Sequence, residues 1–151
     1  LRYFNVFGKR QNPNGEYAAV IPKWISLLHN GKDCEIYGDG TTSRDFCYID
    51  NVVQANILSA TTSNEDALNR IYNVAVGDKS SLNKIYKEIV DSLNKNGLQI
   101  KKDPLYKDFR EGDIRHTHAD ISDAKNFLGY APTHNLKDGM EDAIKWYLEN
   151  L

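Results

Sequence analysis

The chain reads as an α/β domain, a small mixed sheet with flanking helices. Three observations predict this. Short apolar runs rich in β-branched and aromatic residues alternate with amphipathic stretches of helical period. Clusters of Gly, Asn and Pro separate them. A composition of 40% hydrophobic and 26% charged residues over 151 positions suits one globular domain able to bury a core.

The elements follow in order. Leu1 to Phe7 reads as a buried strand ended by Gly8. Asn, Pro and Gly between Gln11 and Gly15 mark a loop. Tyr17 to His29 has Val20, Ile21, Trp24, Leu27 and Leu28 at helical spacing. Pro22 fits best in a first turn, which moves the expected start toward Ile21, and Asn30-Gly31 stops the helix. Cys34 to Tyr37 and Arg44 to Ile49 read as strands around the Gly38-Asp-Gly40 turn. Asp50 caps a helix through Ala60, with Val52, Val53, Asn56, Ile57 and Ala60 as its expected inner face.

Ile71 to Val76 reads as a buried strand. Ser81 opens a helix over Leu82 to Asn94, striped by Leu82, Ile85, Ile89 and Leu93 and closed by Asn96-Gly97. Leu98 to Lys101 reads as a strand. Ile121 to Leu128 is a short helix with Ser122 as cap and Gly129 after it. Leu136 to Leu151 is the last helix, with Met140, Ile144 and Tyr147 or Leu148 inward. There is no repeat, low-complexity tract or linker, so residues 1–151 read as one domain. The chain has no initiator Met and opens in mid-pattern on a strand. It therefore reads as a piece of a longer protein.

Net charge is −2, with a sequence pI of about 6.1. That argues against a general nucleic-acid or anionic-membrane binder. No apolar run approaches the roughly 18–20 residues of a membrane span. Cys34 and Cys47 make no disulfide framework and read as buried thiols of a reducing compartment, hence a cytoplasmic location.

Two arginine-bearing segments draw attention: Gly38-Asp-Gly-Thr-Thr-Ser-Arg44-Asp-Phe and Phe109-Arg-Glu-Gly-Asp113-Ile-Arg115-His. A guanidinium presents fixed donors that match phosphate oxygens in pairs. Two of them suggest a clamp on a nucleotide diphosphate; two surface arginines in ordinary turns is the other reading. Neither G-x-G-x-x-G nor G-x-x-x-x-G-K-[ST] occurs. No tyrosine has a lysine four residues on, and no serine stands in a nucleophile elbow. His116-Thr-His118 could share a strand face, but zinc normally takes three or four protein ligands and no third is evident. Asn5 ends an apolar run, where a polar amide must find either a structural partner or a ligand.

Five segments then occur in order: Leu1-Arg-Tyr-Phe-Asn-Val-Phe-Gly, Gly15-Glu-Tyr-Ala-Ala-Val-Ile-Pro-Lys-Trp24, Tyr37-Gly-Asp-Gly-Thr-Thr-Ser-Arg-Asp-Phe-Cys-Tyr-Ile-Asp50, Tyr72-Asn-Val-Ala-Val-Gly77 and Phe109-Arg-Glu-Gly-Asp-Ile-Arg-His116. Together they resemble the C-terminal substrate domain of extended short-chain dehydrogenase/reductases, most closely UDP-hexose 4-epimerases of the branch acting on UDP-N-acetylglucosamine. The resemblance covers essentially the whole chain. It implies that the upstream Rossmann half, with NAD and the catalytic Ser/Thr, Tyr and Lys, lies outside these residues. No catalytic or metal-binding residue is then expected here, and NAD is expected in the full-length parent but not on this chain.

Residue by residue, the resemblance implies these roles. Asn5 contacts the diphosphate-sugar portion. Tyr3 and Phe4 pass the nicotinamide. The backbone of Ala19 and Val20, at a helix start, meets the UDP phosphates. Glu35 and Tyr37 line the uracil. Arg44 and Arg110 hold the diphosphate, and Asp113 accepts from ribose hydroxyls. Thr117, small where hexose-only epimerases carry Tyr, leaves room for an N-acetyl group. The implied reaction passes through a 4-keto sugar that rotates about its phosphates. UDP-sugar is the implied ligand and a homodimer the implied parent state. This chain alone is expected to be inactive and to self-associate through a face formed by the Leu1 strand and the Tyr17–Leu28 helix. A non-catalytic binding module is the alternative, as is a piece of a related dehydratase or decarboxylase. Lys9 stands where many relatives have Pro.

Overall fold

In the computed structural model, which describes residues 1–14 and 19–151, the first apolar run does not form one strand. Asn5 takes a positive φ of 32° and splits it into β1 (Arg2–Tyr3) and β2 (Val6–Phe7). A positive φ is uncommon outside glycine, although Asn tolerates it better than most residues. The two halves then pair with different partners. β1 lies parallel to β6 (Asn73–Val74), and β2 lies parallel to β5 (Cys47–Tyr48).

The expected strand from Arg44 to Ile49 is interrupted in the same way. β4 (Ser43–Arg44) runs antiparallel to β7 (Ser80–Ser81), and a parallel bridge joins Ser43 to His116. β3 (Glu35–Tyr37) pairs in parallel with β8 (Leu105–Lys107). The mixed sheet is thus four two-stranded ladders among the described residues.

Helices close around these ladders. α1 (Val20–His29) carries Pro22 in its first turn and ends where Gly31 takes a φ of 69°. Tyr17, expected at its start, lies outside the described residues. α2 spans Ile49–Thr61, with Asp50 in its first turn rather than at the cap. α3 (Leu82–Lys95) is capped by Ser81, whose hydroxyl accepts from the Lys84 N–H at 3.2 Å. α4 (Ser122–Leu128) begins beyond Ile121. Asp120, not Ser122, supplies the cap oxygen, accepting from the Ser122 N–H at 2.9 Å. α5 (Leu136–Asn150) is capped by Asn135, which accepts from Lys137 and Asp138.

Two expectations fail for identifiable reasons. Leu98 to Lys101 is not a strand: the Asn94 side chain bonds both the N–H and the carbonyl of Ile100, and the Leu98 N–H donates to the Leu93 carbonyl. The strand that does form is β8, whose residues are all exposed and carry no period to read. The inner face of α2 is Asn51, Val52 and Ala55, whereas Val53 and Ile57 are exposed. Asn51 looks polar in sequence but is fully buried. It accepts from the N–H groups of Thr133 and His134 and donates to the His134 carbonyl.

The core has two parts. One gathers Phe7, Trp24, Ile25, Tyr48, Ile85, Ile89, Ile144 and Tyr147 beneath α1, α3 and α5. The other gathers Cys47, Val52, Tyr72, Val74, Ile121 and Tyr130 between α2 and α4. Successive residues of a strand point to opposite faces, so Cys47 enters one part and Tyr48 the other. The exposed apolar residues Leu1, Tyr3, Val53, Ile57 and Ile71 lie on or beside β1, α2 and β6, with the Tyr3 hydroxyl bonded to Asn56 of α2. α1 does not belong to this face, since Ile21, Trp24, Ile25 and Leu28 are buried.

Gly139 sits inside α5 directly against Tyr48, and a Cβ there would lie 2.7 Å from the Tyr48 Cβ and Cγ. Gly→Ala inside a helix ordinarily stabilises by about 1 kcal/mol. Here overpacking reverses the sign, and Gly139→Ala should cost about 1–3 kcal/mol. Urea denaturation measures this; a gain in stability would show that the α5–β5 contact is looser than described.

Candidate functional site

The site starts from the strand that carries Arg44. β4 ends at Arg44, which borders a cleft, and the next residue, Asp45, turns fully inside. Asp45 accepts from the N–H groups of Val76 and Gly77, both at 3.0 Å. Burial nevertheless raises its pKa, against the lowering effect of these backbone donors. The Asp45 carbonyl accepts from Asn5 Nδ2 at 2.9 Å. That bond uses the Asn5 amide donor to hold the positive-φ turn, so the structural role of Asn5 is met by Nδ2.

Arg44 is held just as firmly. Its Nη1 donates to the carbonyls of Ser43 at 2.9 Å and Arg115 at 3.1 Å, and its Nη2 to Asp113 Oδ1 at 2.8 Å. The pair's side chains are 18% and 43% exposed. An ion pair so open to water adds little stability, about 0–1 kcal/mol. Its consequence is orientation of the guanidinium. The second arginine, Arg110, stacks over the Tyr37 ring with Cζ 3.8 Å from the centroid. Tyr37 in turn donates to Glu35 Oε2 at 3.2 Å.

These residues border one cleft of about 670 Å³. Asn5, Ala19, Val20, Glu35, Tyr37, Arg44, Arg110 and Asp113 all line it. The β3–β8 ladder and the Ser43–His116 bridge bring together residues 70 and 73 positions apart. Thr117 does not line it: its N–H donates to the Ser43 carbonyl at 3.1 Å and its buried Oγ1 has no hydrogen-bond partner. Tyr3 and Phe4 also lie elsewhere, Tyr3 against α2 and Phe4 packed on the second core. These two residues form no cradle for a dinucleotide within the described chain.

The charge pattern is informative. Among the described residues, each carboxylate lining the cleft already has a partner: Asp113 with Arg44, Asp33 with Lys102 at 2.8 Å, and Glu35 with Lys107 at 3.6 Å. Among the described residues, Arg110 has no carboxylate within 4 Å and rests on an aromatic ring. The start of α1 opens on the same cleft, without a side-chain cap at Ala19 or an acid in its first turn. A helix N-terminus carries partial positive charge. Two guanidinium groups and a helix start around one opening suit an anionic ligand. Trp24, Leu27, Phe46, Leu82 and Leu105 add an apolar floor.

That floor was not foreseen as site. Trp24 reads only as core, and Leu105 falls on the strand that carries no sequence signal. Lys23 and Asp33 also line the cleft, and nothing in their surroundings marks them in sequence. Below the floor, Cys34 is buried and unpaired, and burial, with Asp33 nearby, pushes its thiol up to about 12. Burial pushes Cys47 up to about 11. Neither is a nucleophile at neutral pH. Among the described residues no group of His, Cys, Asp and Glu could hold a metal ion.

The family model described as the NAD dependent epimerase/dehydratase family matches residues 1–75. A solved structure of a UDP-N-acetylglucosamine 4-epimerase from Methanobrevibacter ruminantium M1, in complex with UDP-N-acetylmuramic acid, superposes with a TM-score of 0.88 at 40% identity over 99% of this chain. The chain belongs to the NAD dependent epimerase/dehydratase family.

Other members of this epimerase/dehydratase family agree. A putative UDP-glucose 4-epimerase from Methanocaldococcus jannaschii is 33% identical over 99% of this chain. A UDP-glucuronic acid 4-epimerase from Bacillus cereus, solved with UDP-glucuronic acid and NAD, gives a TM-score of 0.82 at 27% identity over 99% of the chain. The chain spans 45–46% of the length of these three relatives.

Proposed function

We propose that these residues are the nucleotide-sugar-binding part of an NAD-dependent UDP-sugar 4-epimerase, and that the cleft takes the UDP portion. The observation that carries this reading is the convergence of Arg44, Arg110 and the uncapped start of α1 on one opening whose carboxylates are already paired. Arg44 and Arg110 grip the diphosphate with the backbone at Ala19 and Val20. Tyr37, Glu35 and the apolar floor take the uracil. Asp113, freed from Arg44 as that arginine turns to phosphate, accepts from ribose hydroxyls. Asn5, with Nδ2 spent on Asp45, offers Oδ1 toward the sugar side.

Remote binding energy can position a reacting centre. Tight anchoring of UDP with few contacts to the sugar suits a 4-keto intermediate that must turn over between two hydride transfers. NAD, when bound by the rest of the parent enzyme, supplies that hydride exchange. We assign UDP-GlcNAc/UDP-GalNAc as the preferred pair, with UDP-Glc/UDP-Gal second. The 40% identity to a UDP-N-acetylglucosamine 4-epimerase supports that order. The relatives' greater length supports an NAD-binding part beyond these residues, so the 151-residue chain is expected to bind without turning over. Two buried free thiols favour a reducing compartment, the cytoplasm.

The exposed apolar face of β1 and α2 is, in this reading, where the NAD-binding part packs. An apolar patch of this kind promotes association. Sedimentation of the isolated chain should show concentration-dependent association that Ile57→Lys weakens; identical sedimentation of the two proteins would remove this assignment. Calorimetry tests the cleft. UDP should bind below millimolar Kd, and Arg44→Ala and Arg110→Ala should each weaken it about 10–100-fold, the worth of a charged hydrogen bond. An absence of heat at millimolar UDP would sink the proposal.

A further inference from the structure

Resting on the reading of the cleft as a diphosphate site, we propose that Phe109 is a positioning residue. It hangs the segment carrying Arg110 and Asp113 from the Gly38 turn. Gly38 has a φ of +88°, and a Cβ there would lie 2.1 Å from Phe109 Cε1. The ring therefore occupies the notch that the missing side chain leaves. Arg115 also lies over the ring, with its Cζ 4.4 Å from the centroid.

The seat itself is fixed. Asn83, at the start of α3, donates from Nδ2 to the Asp39 carbonyl at 3.1 Å and from its N–H to the Gly40 carbonyl at 3.1 Å. Tyr106 of β8 donates to Asn83 Oδ1 at 3.0 Å. The Gly38 turn is thus tied to a helix and to the strand that leads into Phe109.

The segment beyond that strand is held differently. The β3–β8 ladder ends with the Gly38 N–H on the Lys107 carbonyl at 2.8 Å, and the next backbone anchor is the Ser43 N–H on the Arg115 carbonyl at 2.8 Å. Between them three side-chain attachments fix its place: Phe109 on Gly38, Arg110 on Tyr37, and Asp113 on Arg44. A diphosphate that recruits Arg44 and Arg110 competes with the last two. The Phe109 seat is the attachment that survives ligand binding, so it sets where Arg110 meets the phosphates.

Phe109 is 46% exposed, so truncation should leave the fold standing. In calorimetry with the 151-residue chain, Phe109→Ala should weaken UDP about tenfold, while Phe109→Tyr, which keeps the ring, stays near wild type. Without ligand, hydrogen exchange at the amides of residues 110–114 should quicken about tenfold in Phe109→Ala and leave the α3 and α5 amides unchanged. Gly38→Ala, which fills the notch, should reproduce both effects. Should Phe109→Ala melt early, Phe109→Leu carries the same comparison. Equal UDP affinity or unchanged exchange in Phe109→Ala would overturn the inference while the cleft assignment stands. A wild-type chain that fails to bind UDP would overturn both.

Discussion

A carboxylate buried at the junction of the two core parts constrains the rest of the molecule. Asp45 is fully inside, and an ionised group there survives only with its lone pairs occupied. Val76 and Gly77 bring their N–H groups to it from another segment. Its carbonyl fixes Asn5 and so the break between β1 and β2. Asp45 directly follows the end of β4, so the stretch that buries it also carries Arg44 at the cleft. The interior and the site are two faces of one six-residue stretch, Ser43 to Tyr48.

From that stretch the site is assembled by pairing rather than by any local motif. The 108–116 segment reaches Arg44 only because Ser43 exchanges backbone bonds with Arg115 and Thr117. Tyr37 reaches Arg110 only because β3 and β8 run side by side in register. The result is a cationic opening over an apolar floor, with the acids near it already engaged. Charge-assisted contacts of this kind orient a ligand more than they stabilise a fold, which fits their half-exposed setting.

The fold was legible in outline where local chemistry dictates structure. Helices with a strong apolar stripe, such as α3 with Ser81 as cap, appear as read, and so do the stops at Gly31 and Gly129. What escaped was non-local. β7 and β8 exist through pairing and have no period of their own. Asn94 takes both backbone groups of Ile100 within Leu98–Lys101, and the buried Asn51 pairs with backbone groups of Thr133 and His134. In the site, arginines and acids could be picked out because those residue types announce phosphate chemistry. The floor residues could not, since a Leu beside a ligand and a Leu in a core look alike. Thr117 shows the converse: a motif position does not by itself place a side chain at the cleft.

The central claim is that Arg44 and Arg110 converge on one anionic nucleotide site. Two-dimensional NMR of the labelled chain titrated with UDP tests it most directly. The account predicts that the largest amide shifts fall together at Val20, Tyr37, Arg44, Arg110 and Asp113, with α4 and the α3–α5 surface unmoved. Saturating shifts that spared Arg44 and Arg110, or that clustered away from the cleft, would contradict it.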